Sequence, residues 1–274
     1  MRKHLVTTVV LSLALSACSL TPGYLRPQTD IPESWSTVSN TALQQEEPFF
    51  WQAFESEDLN RVMEVALAQN LDLQAALHRV EQAHAQAKVA GAALLPSLDA
   101  SGGASQNYQE VADTSRWQGL TTLSYELDLW GKNRSQTEAA KYRAQASVYD
   151  REALRLVVAA DTAVLYTRVL GFDDRIRVAE NNLKDAEEVL RIIEARYREG
   201  GVSALEVSQQ KVAVNNIRAA LTTLVEQQTA TLTALAILLG HAPQHFEAPQ
   251  AELSALRIPE VDLTSPASLL TGRP

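Results

Sequence analysis

Cysteine occurs once in these 274 residues, at Cys18, so no disulfide can form within the chain. Beyond the first seventeen residues there is no run of eighteen apolar residues. No segment there can cross a bilayer as a helix, and any crossing must be made by strands closed into a barrel. Proline is missing from residues 133–198, and glycine occurs there only at Gly171, so little interrupts a helix. An excess of basic charge is missing too. The 24 Lys and Arg against 33 Asp and Glu leave a formal net charge of -9, which argues against a nucleic-acid partner. A phosphate-cradling glycine loop is absent.

A catalytic or metal-ligating set is also lacking. His241 and His245 are four apart but flank Pro243, and His78 and His84 are six apart on different faces of a helix. Asp173-Asp174 and Glu187-Glu188 sit among charges of both signs, the composition of a solvated helix face. The expectation is a protein that is not an enzyme and that carries no cofactor and no metal.

What is present begins with an export signal over residues 1–17. Arg2 and Lys3 form a positive start, and Leu5 to Leu15 forms an apolar stretch too short for a permanent span. Leu15-Ser16-Ala17-Cys18 then has the form of a bacterial lipobox, with the Cys18 thiol as the lipid attachment point. Lipid chains anchor a protein to a membrane surface without making it span. Residues 18–55 carry Pro22, Gly23, Pro27, Pro32 and Pro48 and read as an extended arm, with Trp35, Trp51 and Phe54 able to dock it.

Helical spacing starts near Glu57, with Leu59, Val62, Met63, Ala66 and Leu67 on one face. A weak break at Asn70-Leu71-Asp72 precedes a second helix over about 72–95, which Pro96 ends. Two stretches with period two follow, a strand pair over about 97–129. In the first, Leu98, Ala100, Gly102 and Ala104 alternate with Asp99, Ser101, Gly103 and Ser105. In the second, Trp117, Thr121, Leu123, Tyr125, Leu127 and Leu129 share a face, opposite Thr122, Ser124, Glu126 and Asp128. One face suits lipid and the other water, as in a transmembrane β-strand, with Trp117 and Trp130 as interfacial aromatics. On that reading Glu126 and Asp128 face a barrel lumen. The same alternation fits an amphipathic hairpin lying over a soluble core.

A long helix over residues 133–198 comes next. Ile176, Ala179, Leu183, Ala186, Leu190, Ile193 and Tyr197 alternate three and four apart, a coiled-coil seam. Gly200-Gly201 breaks it. Ser203 with Glu206 has capping-box form for a partner helix over residues 203–239. There Val207, Val214, Ile217, Leu221, Leu224, Leu235 and Leu238 keep the seam, with Gln210, Gln228 and Thr231 in its polar slots. The pair is an antiparallel hairpin. At 1.5 Å per residue the long helix measures roughly 100 Å and its partner roughly 55 Å, so the helix over 72–95 is needed to cover the remainder. Two strands cannot close a barrel, since no edge stays open in lipid. Closure therefore requires oligomerisation or a further segment of chain.

Several segments, in this order, resemble one family. Tyr125-Glu126-Leu127-Asp128-Leu129-Trp130-Gly131-Lys132 follows the second strand. Ala195-Arg196-Tyr197 through Gly200, Ser203, Leu205 and Glu206 forms the hairpin tip. Ala234 to Gly240 with Pro243 ends the last helix, and the lipobox adds a fourth segment. The chain resembles the outer membrane factors of tripartite efflux systems, in their lipidated branch, over about residues 15–274. The resemblance implies a mostly α chain with a β-hairpin: a long antiparallel coiled-coil helical barrel segment plus transmembrane β-barrel strands, completed by oligomerisation into a trimer. It implies a passive trans-periplasmic duct for drugs or other small molecules in the cell outer membrane, with Ser19 after the lipid-bearing cysteine favouring that membrane. A periplasmic adaptor protein and an inner-membrane pump are the implied partners, and Gly200, Gly201, Val202 and Ser203 the implied adaptor-contacting tip. The family carries two copies of the strand-and-helix repeat. Residues 56–245 hold one, and 246–274 read as a linker toward a second that this sequence lacks, so a truncated product is expected. A structural coiled-coil outer-membrane lipoprotein without a channel is the competing reading.

Overall fold

The computed structural model describes Leu25, Pro27, Asp30 and residues 49–107 and 114–258. The signal segment, Cys18, Trp35 and residues 259–274 lie outside the described residues. A short 3-10 turn, Phe50–Phe54, leads into α1 (Glu57–Gln69), α2 (Leu71–Ala92), β1 (Ser97–Asn107), β2 (Thr114–Ser124), α3 (Lys132–Arg198) and α4 (Ala204–Leu238). Two further 3-10 turns follow, Pro243–His245 and Leu253–Ala255. The chain divides into two compact units, one holding Ala76–Asp150 and the other Ile31–Ala75 with Arg151–Pro274.

The second unit contains the core. Trp51, at 8 % exposure, packs with Leu59, Met63, Ala159, Ala163, Tyr166 and Leu170, and Phe54 packs against that cluster, so two of the three aromatics expected to dock the arm are placed here. An adjoining cluster joins Ala66, Leu73, Val158, Val169, Leu235 and Leu239. Each such large side chain, once buried, contributes about 1.5–3 kcal/mol. α1 starts at Ser56, whose hydroxyl accepts the Leu59 N–H at 3.2 Å, and Glu57 and Asp58 place negative charge at its N-terminus.

α3 and α4 pair antiparallel. Lys211 meets Glu194 at 3.0 Å, Arg218 meets Glu187 at 2.7 Å, and Gln228 donates to Asp173, so one number falls as the other rises. The seam positions are covered except at the tip end: Leu183, Ala186, Leu190 and Ile193 on α3 and Leu221 and Leu224 on α4 are half-buried and Val214 and Leu235 are buried, whereas Tyr197, the last expected seam residue of α3, is exposed. Two polar seam residues reach across, Gln228 as above and Gln210, whose amide donates to the Ala186 carbonyl at 3.1 Å. The segment after α4, read from sequence as a linker, is partly docked. Ala251 and Leu256 pack on the Trp51 cluster, the Arg257 N–H donates to the Phe54 carbonyl at 3.2 Å, and its guanidinium pairs with Glu55.

The first unit carries the hairpin. β1 and β2 are eleven residues each and pair antiparallel from Ser97↔Ser124 to Asn107↔Thr114. α2 ends at Ala92, three residues before the expected Leu95. Pro96 disfavours helical backbone in the residue before it, and the chain tightens into i→i+3 bonds from Ala93, Leu94 and Leu95. α3 is seated on α2 through Thr137, whose buried hydroxyl donates to the Ala90 carbonyl at 3.1 Å and the Asn133 carbonyl at 2.8 Å.

Candidate functional site

The register of the hairpin sorts its side chains. Leu98 stands opposite Leu123, Ala100 opposite Thr121, Gly102 opposite Gly119 and Ala104 opposite Trp117, so the apolar alternation of both strands falls on one face. On the other face Ser97 pairs with Ser124, Asp99 with Thr122, Gly103 with Gln118 and Ser105 with Arg116. Leu120, opposite Ser101, is the one large apolar side chain there. The Ser97 and Ser124 hydroxyls are 2.7 Å apart and bond across the strands. Among the described residues that apolar face is exposed: Leu98 is 68 % exposed, Leu123 71 % and Trp117 83 %. Each strand also keeps one edge without a ladder partner among the described residues.

Glu126 and Asp128 do not belong to β2, which corrects the sequence-based assignment. The ladder stops at Ser124 because its partner, Ser97, is preceded by Pro96, which has no N–H to continue it. Both acids serve the start of α3 instead. The Asp128 carboxylate accepts the Arg134 N–H at 2.9 Å, satisfying one of the orphan donors of the first turn, and its guanidinium at 3.4 Å. Glu126 faces the Lys132 ammonium at 3.4 Å. α3 has no acidic residue in its own first turn, so Asp128 supplies the charge its N-terminus favours. The Arg134 N–H, above all, holds the Asp128 carboxyl below its usual range. Gly131, at φ +77°, turns the chain into the helix. Leu127 and Leu129, also placed on the strand from sequence, lie beyond it and are exposed.

The α3–α4 turn is a small, open tip. Gly200 takes φ +76°, its N–H donates to the Tyr197 carbonyl at 3.0 Å, and the Gly201 N–H donates to the Arg196 carbonyl at 2.8 Å. Ser203 begins α4, its hydroxyl accepting the Glu206 N–H at 3.4 Å, which is one half of the expected capping box. Gly200, Gly201 and Ser203 are exposed and Val202 is half-buried, and Leu205 beside them is 65 % exposed. His78 is exposed and lies 3.0 Å from Glu81 on its own helix.

No helix among the described residues is long and apolar enough to cross a membrane. The hairpin is a different case, since eleven-residue strands match the 9–11 residues of a transmembrane β-strand.

A sequence model described as outer membrane efflux protein matches residues 62–241. The chain is 34 % identical over 278 residues to the pyoverdine export outer membrane protein OpmQ of Pseudomonas aeruginosa, covering 96 % of this chain and 58 % of that protein. It is 27 % identical over 289 residues to the probable efflux pump outer membrane protein TtgC of Pseudomonas putida, covering 60 % of it. Among solved structures, the Campylobacter jejuni CmeC outer membrane channel superposes with a TM-score of 0.73 at 26 % identity, over 90 % of this chain and 55 % of that one. The chain thus spans somewhat over half the length of the relatives it matches. With the matched region running from α1 through α4, the chain belongs to the outer membrane efflux protein family.

Proposed function

We propose that this chain is the outer-membrane channel component of a tripartite export system, a passive duct that crosses the periplasm and does no chemistry. The observation that carries the reading is the hairpin: two eleven-residue strands whose apolar side chains share one face, exposed among the described residues, with a polar face behind it. Lipid is the surroundings that such a face fits, and pairing of the two open edges by further strands is what lipid demands. Those strands come from other copies of the chain, as a trimer in the full-length form, and from any second repeat of a longer protein. Cys18 takes the lipid anchor. The coiled pair α3–α4 forms wall in the periplasm, and its tip at Gly200, Gly201, Val202 and Ser203 receives a periplasmic adaptor that links it to an inner-membrane pump. Small residues at that turn suit it, because a second helical hairpin can approach the backbone closely there. Glu126 and Asp128 stand where the duct passes from strands to helices.

The test is membrane assembly of the full-length native protein carrying Leu98→Arg or Thr122→Arg. Leu98 belongs to the apolar face and Thr122 to the polar face. Arginine at a lipid-facing position costs up to about 2–4 kcal/mol, rising with depth, and a lumen position bears it more easily. Loss of assembly for Leu98→Arg alone supports the duct. Equal assembly of both variants refutes it in favour of a coiled-coil lipoprotein that never spans.

A further inference from the structure

Only two residues of β1 and β2 carry a charge, Asp99 and Arg116. The register puts both on the polar face: Asp99 is opposite Thr122, and Arg116 is opposite Ser105. Both are exposed. They occupy different levels. Asp99 lies two residues from the start of β1, at the end of the hairpin joined to α2 and α3, and Arg116 lies two residues into β2, at the end joined to the 107–114 connection. Asp99 and Ser105 are six residues apart on β1, which at about 3.3 Å per residue separates the two charges by roughly 20 Å along the strand. Small hydroxyl, amide and glycine side chains fill most of the face between them, with Leu120 the exception.

We propose that Arg116 and Asp99 form two oppositely charged bands inside the channel, a cationic band toward the outer mouth and an anionic band toward the helical end, and that Arg116 sets the passage of solutes bearing carboxylate or phosphate groups. The inference rests on the channel reading above. Each copy that enters the barrel adds one charge to each band. A low-dielectric wall focuses the field of such a band into the lumen. The roughly 20 Å between the bands exceeds the screening length of about 8–10 Å at 0.1–0.15 M salt, so neither cancels the other and each acts on a passing ion separately. Glu126 and Asp128 do not merge with the anionic band as free charges, because Lys132 and Arg134 face them.

The experiment is the reversal potential of the full-length native protein in planar bilayers across a KCl gradient, for the wild type, Arg116→Gln, Asp99→Asn and Arg116→Lys. Arg116→Gln is expected to shift selectivity toward potassium, Asp99→Asn toward chloride, and Arg116→Lys to stay at the wild-type value. Ser105→Glu, which sets a carboxylate opposite Arg116 while keeping it, is expected to shift selectivity in the same direction as Arg116→Gln. It covers the case in which the glutamine variant fails to assemble. A wild-type conductance whose selectivity none of these substitutions moves overturns the two bands and leaves the channel standing. A wild-type protein that inserts without conducting overturns the channel reading, and this inference with it.

Discussion

The Asn70 side-chain amide donates to the backbone carbonyl of Leu238 at 2.8 Å, across 168 residues of sequence. The same buried side chain accepts the Leu73 N–H at 3.0 Å, so one residue caps α2 and ties the α1–α2 junction to the last turn of α4. Close packing completes the joint. Gly240 sits at φ +74°, and a Cβ built there stands 2.6 Å from the Gln69 carbonyl oxygen, a backbone atom with no rotamer to yield. Asn70→Ala removes the cap and strands a carbonyl, an expected loss of about 2–3 kcal/mol. Gly240→Ala is expected to cost more than Gly200→Ala. Both have positive φ, worth about 1–2 kcal/mol with a side chain, but a Cβ at Gly200 meets nothing within 4 Å. Hydrogen exchange of the Leu73 amide and the last turn of α4 reads both effects locally.

Tyr166 makes a pH prediction. It is fully buried, its hydroxyl donates to the Asp58 carboxylate at 3.1 Å, and it lies 3.5 Å from the Ser56 hydroxyl. Burial, first of all, pushes its pKa up to about 12. An unfolded tyrosine titrates near 10. Between these values the folded state holds a proton that the unfolded state has released, so stability falls as pH rises through that window and is fully present below it. Tyr166→Phe is expected to remove this fall while lowering stability at neutral pH, where the Asp58 carboxylate loses the Tyr166 donor and keeps only Arg61. Thermal unfolding followed by circular dichroism from pH 8 to 12 checks both arms.

What could be read from the sequence divides by the range of the interaction that decides it. The α3–α4 hairpin was legible because its seam is a local repeat, and every position from Ile176 to Ile193 that carries the repeat is the half-covered one. The hairpin strands were legible for the same reason, since period two needs no knowledge of partners. The end of β2 was not. Alternation continues through Tyr125, Leu127 and Leu129, but the ladder is limited by Pro96 on the other strand, 28 residues before Ser124, and by the need of α3 for the Asp128 carboxylate. A sequence signal for the latter existed in the bare first turn of α3, which opens on Lys132 and Arg134 with no acid of its own. Asn70 read only as a weak break, because its partner is the C-terminus of α4. Arg116 passed unnoticed beside Trp117, whose place on the apolar face puts its neighbour on the polar one.

The seam of α3 and α4 predicts a trade between stability and register. Gln210 bonds the Ala186 carbonyl and Gln228 the Asp173 carboxylate, and both occupy positions the repeat would otherwise fill with apolar side chains. A polar residue at one seam position specifies alignment at a cost in stability. Gln210→Leu with Gln228→Leu is therefore expected to raise the unfolding midpoint while weakening alignment. Cysteine pairs placed at Ala186 with Gln210, and one heptad out of register, distinguish the two. In otherwise native protein only the first pair is expected to cross-link, and in a chain carrying Gln228→Leu the shifted pair should gain.

Asp128 predicts acid sensitivity at the strand-to-helix junction. Its carboxyl is held below the ordinary range, chiefly by the Arg134 N–H, so the folded state favours the charged form more than the unfolded chain does. The contribution is present above the unfolded carboxylate pKa and is lost as pH falls through the lowered folded value. Asp128→Asn keeps an acceptor for the N–H but not the charge, and Asp128→Ala keeps neither. The order of fraying at the first turn of α3 is expected to be Ala beyond Asn beyond wild type at pH 7. At a pH below the folded value the wild type and Asn variant should converge. Amide exchange at Asn133 and Arg134, followed from pH 7 down until the carboxylate has lost its charge, measures that order. A wild-type profile as flat as that of the Asn variant would show that the carboxylate contributes only as a hydrogen-bond acceptor and that its charge does not matter to the start of the helix.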